Sequence, residues 1–230
     1  MNYPNIHHGI FIKRLNRFVA EIRVNGQTER CHVKNTGRLG ELLLPGAEVL
    51  LTKTDNPNRT TQFDLVSVYK GNQLFNIDSQ MPNKLYSEWL KGNCPLYTNL
   101  SLLRPETRYK NSRFDFYLEA DGKKIFTEVK GVTLLKDGTA YFPDAPTLRG
   151  LKHINELIAS RKEGYDACIV FILQMKGALR FSPNHQTQPE FAKALRTALK
   201  AGVRLLALDC IVKENFIMID KEIDIVLSDN

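Results

Sequence analysis

Residues 113–130 read RFDFYLEADGKKIFTEVK. The stretch holds an acid at Asp115, a turn dipeptide at Asp121-Gly122, and a second acid and an amine at Glu128 and Lys130. Asp-Gly favours a two-residue hairpin loop. Such a loop pairs Ala120 with Lys123, sets Asp115 opposite Glu128 and sets Arg113 opposite Lys130. Directly opposed side chains share a face with Cβ atoms about 5 Å apart. The register therefore predicts one charged cluster of Asp115, Glu128, Arg113 and Lys130, with Phe114, Phe116, Ile125 and Thr127 facing the other way. Two opposed carboxylates repel unless a cation lies between them. Lys130 or Arg113 could be that cation, which makes a charged hairpin. A divalent metal is the other candidate, since Mg²⁺ takes a few hard oxygen ligands and keeps several waters.

Acid, hairpin, then acid-x-lysine is the P-D-(D/E)-x-K pattern of metal-dependent nucleases. In that reading Asp115 and Glu128 are metal carboxylates, the Val129 carbonyl is a further metal ligand, and Lys130 faces the attacking water or the scissile phosphate. Mg²⁺ or Mn²⁺ would be the cofactor. A competent site needs carboxylates not neutralised by Arg113 and Lys130. The predicted helix over 147–164 follows the hairpin and places Arg149, Lys152, His153 and Glu156 at helical spacing on one face, with Leu148, Leu151, Ile154 and Ile158 on the core side. Arg113, Arg149, Lys152 and His153 are thus candidates for nucleic-acid contact beside the acids. Gly150 in the first turn costs about 1 kcal/mol relative to alanine unless another group approaches closely.

The elements that must position these residues fall into two parts, 1–80 and 81–230. Residues 10–78 pattern as five short strands, over 11–24, 28–33, 47–54, 63–70 and 73–78, with hairpin turns at Asn25-Gly26 and Gly71-Asn72. An interruption after the second strand fits a small barrel of the OB type. That interruption carries Lys34, Asn35, Thr36, Gly37 and Arg38. Lys34 and Arg38 are candidates for phosphate contact. Asn35 reads as an Asx-type turn with Gly37 at positive φ. Phe18, Phe63, Tyr69 and Phe75 are either a stacking platform for bases or barrel core.

After Asp78 the pattern changes. Residues 79–92 read as a helix with Ser79 as cap and Gly92 as stop. Strands over 113–118 and 124–130, the helix over 147–164 with Thr147 as N-cap, an apolar strand DACIVFIL, a helix started by Pro189, and a strand VRLLALDC follow. That order implies an α/β domain built on a mixed sheet flanked by helices, so the chain as a whole is α+β.

The chain has 230 residues, 43% of them hydrophobic, and a net charge of +7. Residues 1–80 carry 10 basic and 7 acidic side chains, and the rest carry 22 and 18, so the two parts stand at +3 and +4. A basic folded protein suits a polyanion such as nucleic acid, DNA or RNA. Cys31, Cys94, Cys168 and Cys210 are widely spaced, which fits neither a zinc nor a disulfide framework and suits a reducing cytoplasm. The first residues lack an apolar core of signal-peptide length, and no apolar run approaches membrane-spanning length. His7-His8 suggests no role.

With these motifs assembled, the chain resembles the sugar fermentation stimulation protein family (SfsA) along nearly its whole length. The resemblance rests on RFVAEI, HVKNTGRL and LLLPG in the first part. In the second it rests on PNKL, ETRYKNSRFDFYL, EVKGVTL, YFPDAPTLRGLKH and RFSPN. It implies an OB-like N-terminal domain, a C-terminal domain of restriction-endonuclease type, DNA binding and a link to regulation of sugar-utilisation genes. It carries Asp115, Glu128 and Lys130 onto the nuclease-like motif, with Glu106 as a candidate fourth member. Asp78-Ser79 stands where the family often has Asn-Thr, and Lys110 where it often has Gly. The second departure would add a charge beside the site.

Overall fold

The computed structural model describes residues 1–92 and 94–227. The first part contains β1 (Ile6–Arg14), β2 (Val19–Val24), β3 (Gln27–Val33), β4 (Glu48–Lys53), β5 (Phe63–Lys70) and β6 (Gln73–Asn76). β1 pairs with β2 and β4, β2 with β3, β4 with β5, and β3 closes on β5 in parallel. The result is a closed five-stranded barrel of OB type, with β6 added to β5.

The expected first strand over 11–24 is a hairpin. Asn16 folds it back, its Oδ1 accepting from the N–H groups of Phe18 and Val19. The barrel therefore uses an extra N-terminal strand, and the expected fifth strand lies outside the closure. Asn16 and Arg17 lie in a polar break that alternation alone passes over. Inside, Phe11, Ala20, Ile22, Cys31, Leu51, Leu65 and Phe75 are buried.

The second part begins with α1 (Met81–Lys91), then β7 (Leu100–Tyr109), β8 (Ser112–Ala120), β9 (Lys123–Val132), β10 (Leu134–Lys136) and β11 (Thr139–Phe142). It continues with α2 (Leu148–Lys162), β12 (Asp166–Leu173), β13 (Arg180–Pro183), α3 (Pro189–Lys200), β14 (Arg204–Lys213) and β15 (Phe216–Glu222). The main sheet has the order β15-β14-β12-β9-β8-β7, with β12 parallel to both β9 and β14. Its central strand is the apolar run DACIVFIL, buried on both faces as parallel strands are.

Met81, Leu85, Tyr86 and Leu90 of α1 pack with Phe116, Leu118, Ile125 and Val170 on one face. Ile154 and Leu157 of α2 and Phe191 and Leu195 of α3 pack with Phe126, Ile169 and Phe171 on the other. The edge strands β7 and β15 and the small sheet β10-β11-β13 have no counterpart in the sequence-based expectation. β7 carries a polar run with Pro105 in it, which does not read as a strand until it is seen at a sheet edge.

Helix boundaries follow local chemistry. Thr147 Oγ1 accepts from Gly150 N–H and caps α2. A Cβ on Gly150 would lie 2.7 Å from Thr147 Cγ2 and 3.2 Å from Phe191 Cε2, so close approach explains the glycine. α1 is not capped by Ser79, whose hydroxyl donates instead to Lys34 O at 2.5 Å. Asp78 Oδ1 accepts from Gln80 N–H one residue before the helix.

The two parts are joined by buried polar contacts. Gln174 Nε2 donates to Asn76 Oδ1 at 2.7 Å and to Asp78 O at 3.0 Å. Asn35 Nδ2 donates to Ile77 O at 3.0 Å, and Lys34 Nζ lies 2.9 Å from Asp78 Oδ2. The chain's start also crosses over: Tyr3 N–H donates to Asn215 O beside β15.

Candidate active site

The β8–β9 hairpin turns at Asp121 (φ 50°) and Gly122 (φ 75°), the two left-handed residues that a type I′ turn requires. Pairing runs from Ala120↔Lys123 to Phe116↔Thr127 in the expected register and stops there. The next residue, Asp115, uses its side chain in place of the ladder. Its Oδ2 accepts from Val129 N–H at 2.8 Å, and its Oδ1 accepts from Asn83 Nδ2 at 2.8 Å.

The alternation of β8 changes phase at this point. Phe116 packs on the α1 face, while Phe114 packs on the α2 face with Phe126, ring centroids 5.3 Å apart. The expectation that Phe114 and Phe116 share a face is corrected, because pairing with β9 ends at Phe116 and the strand turns over at Asp115. Past that point Arg113 does not meet Lys130. Arg113 is exposed and pairs with Glu106 Oε2 at 3.5 Å. Glu106, the candidate fourth acid, is exposed and pairs outward with that arginine.

Glu128 enters from the other side of the sheet. Its carboxylate is buried, with Oε1 at 2.5 Å from Lys130 Nζ and accepting from His153 Nδ1 on α2. Its Oε2 is buried and has no hydrogen-bond partner. The two acids thus converge at the end of the ladder, one fastened to α1 and one to α2.

Their ionisation diverges. Burial, and then the charge of Glu128, raises the Asp115 carboxyl above the ordinary range, against the bonds from Val129 and Asn83. Burial alone would also raise Glu128, but the His153 hydrogen bond and the Lys130 charge outweigh it and hold it low. A carboxylate pair pushed apart in this way is a common mark of a working site.

Of the remaining candidates, His153 is only 4% exposed and faces Glu128, so it is no solvated helix residue. Lys152 Nζ donates to Asn111 O at 2.7 Å. Arg149 is exposed in the first turn of α2. Leu148, expected in the core, is 83% exposed, and the buried stripe is Gly150, His153, Ile154, Leu157 and Ser160. The capping turn points the helix's first residue outward. Lys34 is committed to Asp78, whereas Arg38 is exposed. Gly37 is not left-handed; a Cβ there would lie 2.9 Å from Asn35 Oδ1 and 3.0 Å from Asp144 Oδ2. The Asx turn itself is present, with Gly37 N–H donating to Asn35 Oδ1 at 2.8 Å. Phe63 and Phe75 are core, Tyr69 is partly buried, and Phe18 is exposed.

Comparison with known proteins bears on the family and the fold. The sugar fermentation stimulation protein RE domain model matches residues 80–216, and the SfsA N-terminal OB domain model matches residues 12–77. The chain belongs to the sugar fermentation stimulation protein family. Homologs from Ruminiclostridium cellulolyticum and Clostridium beijerinckii are 54% and 52% identical over 228 residues, covering 99% of this chain and 100% of theirs. A solved structure of Pyrococcus furiosus SfsA in complex with Ca²⁺ superposes with a TM-score of 0.90 at 30% identity, covering 98% of both chains.

Both departures from the family pattern have a place in the fold. Asp78 is fully buried and forms the interdomain ion pair with Lys34. Lys110 adopts φ 50°, where glycine is at ease, and its amine pairs with Glu163 at the end of α2, so its charge is neutralised there.

Two site-building residues escaped the sequence reading. Asn83 lies in PNKL, but only the fold brings α1 against the end of β8. Arg14 donates to five backbone carbonyls, those of Asn16, Arg17, Asn35, Gly37 and Arg38. It thereby ties the β1–β2 turn to the loop after β3. An arginine in an alternating strand gives no sign of this. Among the described residues no three His, Cys, Asp or Glu side chains converge on one point. Any metal here would therefore rest on two carboxylates and neutral oxygens.

Proposed function

We propose that this protein binds DNA and that its second part hydrolyses phosphodiesters with a divalent cation, Mg²⁺ or Mn²⁺. The observation that carries this reading is the buried, unpartnered Glu128 Oε2 together with a second carboxylate, Asp115, raised by burial and then by the charge of Glu128. A buried acceptor with no donor is costly, and a cation would satisfy it and relieve the repulsion at once. The residues fit such an ion: Asp115, Glu128 and the Val129 carbonyl would hold it, with waters completing the shell. The Ca²⁺ complex of the Pyrococcus furiosus relative supports a divalent ion at sites of this family.

When bound, the cation supplies Lewis-acid charge for a phosphate oxygen and activates the attacking water. The chain's own residues do the rest. Asn83 and Val129 N–H fix Asp115, and His153 fixes Glu128 from below. Lys130, half-buried on Glu128, is placed to meet the negative charge of the scissile phosphate. Arg38 and Arg149 are exposed and suit backbone phosphates. RNA would serve the same chemistry. No described helix is long and apolar enough to cross a membrane. Free cysteines, three of them buried, support a cytoplasmic setting.

The 2.5 Å contact of Lys130 with Glu128 favours a second reading. There the lysine is a permanent counter-ion, and the protein is a non-catalytic DNA-binding regulator of sugar-utilisation genes. One assay separates them: cleavage of single- and double-stranded DNA and RNA with Mg²⁺ or Mn²⁺, with Asp115→Ala and Lys130→Ala beside the wild type. Cleavage lost in both variants is expected. A wild type that does not cut, or variants that cut equally, would overturn the hydrolase reading.

A further inference from the structure

Phe18 is 49% exposed in the β1–β2 turn, with the Arg17 guanidinium 5.6 Å from its ring centroid. In OB folds the β1–β2 loop is one of the segments that grip oligonucleotides. Arg14 locks this turn to the loop carrying Arg38, through the five carbonyls named above. That loop in turn meets the second part: the space for a Gly37 Cβ is closed by Asp144 Oδ2 at 3.0 Å.

Between the loop and the second part lies an open cleft of about 260 Å³. Its walls include Thr36, Ser79, Thr133, Asp144 and Thr147, and it reaches Gly131, the residue after Lys130. The lining holds hydroxyls, the two amides of Asn35 and Gln174 and one carboxylate but no cation. That chemistry suits base edges, with the carboxylate accepting from an exocyclic amine, rather than phosphates. The cations stand outside it: Arg17 and Arg38 on the barrel side, and Arg149 just beyond Thr147.

We propose that single-stranded nucleic acid follows this track, stacking a base on Phe18, passing the next bases into the interdomain cleft, and arriving at Lys130. The inference rests on the nucleic-acid-binding reading above and adds strandedness to it. Phe18 is a flat apolar surface flanked by arginine, the combination that stacks bases without reading sequence. A base can lie on that ring or in the cleft only when it is unpaired, so a duplex gains neither contact.

The test is equilibrium binding of the full chain in EDTA, where no metal-dependent cleavage intervenes. The probe is a short fluorescein-labelled single-stranded DNA, compared with the same strand annealed to its complement. The single strand is expected to bind more tightly. Phe18→Ala should weaken it roughly tenfold to a hundredfold, as expected for one lost stacking contact. Phe18→Trp should restore binding, and duplex affinity should not change. Arg38→Gln should lower the salt dependence by about one released ion. Leu199→Ala, an equally exposed apolar site on α3, should change nothing. Thermal melts matched to wild type show that the variants are folded. Duplex binding as tight as single-strand binding, or Phe18→Ala without effect, overturns the proposal. Loss of all binding by the wild type overturns both it and the DNA-binding reading. Failure to cleave leaves the Phe18 result standing.

Discussion

Asn83 Nδ2 donates to Asp115 Oδ1 at 2.8 Å, so the first acid of the hairpin is held by helix α1 as well as by the neighbouring strand. With Val129 N–H on the other oxygen, Asp115 is fixed before any cation arrives. Hydrogen bonds of this kind orient metal-binding carboxylates in general.

Removing the charge while keeping these bonds should separate stability from metal affinity. Asp115→Asn can still accept from Val129 N–H on its one oxygen, and its NH2 group donates to Asn83 once that amide turns its own oxygen inward. It loses the repulsion from Glu128, so in EDTA at neutral pH it should be stabilised by about 1 kcal/mol, or about 2–4 °C. The sign follows from the raised Asp115 carboxyl: its cost is absent while it is protonated at low pH and grows as pH rises through its folded value. The advantage of the variant should therefore vanish in acid. Added Mn²⁺ should raise the melting temperature of the wild type and not of the variant. Differential scanning calorimetry with and without Mn²⁺ checks both.

On the proposed function, His153 should act on the cation held by Asp115 and Glu128 without touching DNA. It is buried against Glu128 and has no exposed face for phosphate. His153→Ala should weaken Mn²⁺ binding about 10–100-fold by calorimetry, the usual effect of losing an orienting partner. DNA affinity in EDTA should stay at the wild-type value. An equal loss of DNA affinity would mean that the residue meets the nucleic acid directly.

How much of this was legible in the sequence depends on whether the signal was local. Asp121-Gly122 set the hairpin register because a two-residue turn leaves little freedom. DACIVFIL and the Thr147 cap were equally local. The phase change at Asp115 was not, because it arises when a carboxylate replaces the ladder, and alternation assumes the ladder continues. Glu128 and Lys130 are two residues apart on one strand, so their pairing could be read directly. Asn83, Arg14 and the burial of His153 depend on which helix meets which strand end. Edge strands β7 and β15 are half-solvated and lack the apolar run that reveals a central strand.

Arg59 should make a pH-dependent contribution on the flank of the barrel. Its guanidinium grips Asp64 with two bonds, 2.5 and 3.2 Å. Burial alone would raise Asp64, but Arg59, with help from Lys34 and His32, holds it below the ordinary range. A lowered carboxyl contributes stability above its unfolded value of about 3.9, and that stability is lost as pH falls through the folded value. Arg59→Met should therefore melt about 2–5 °C below wild type at pH 7, from about 1–2 kcal/mol of charge-assisted bonding. The difference should close in the acid range below pH 4. A gap that persists in acid would assign the loss to packing.

The last prediction separates Lys34 from Arg38, two bases four residues apart in one loop. Lys34 neutralises Asp78, which is buried where the two parts join, while Gln174 bonds the Asp78 carbonyl from the other side. Lys34→Gln leaves a buried carboxylate without its cation and should cost about 3–5 kcal/mol. Gln174→Leu strands Asn76 Oδ1 and the Asp78 carbonyl and should cost about 2–4 kcal/mol. Both variants weaken the buried polar bridge between barrel and sheet, so their calorimetric transitions should broaden or split. Arg38 carries no such load, so Arg38→Gln should melt like wild type and bind DNA more weakly, with a shallower salt dependence. If Lys34→Gln instead melts normally and loses DNA affinity, the lysine is a phosphate contact after all and the Asp78 pair is secondary.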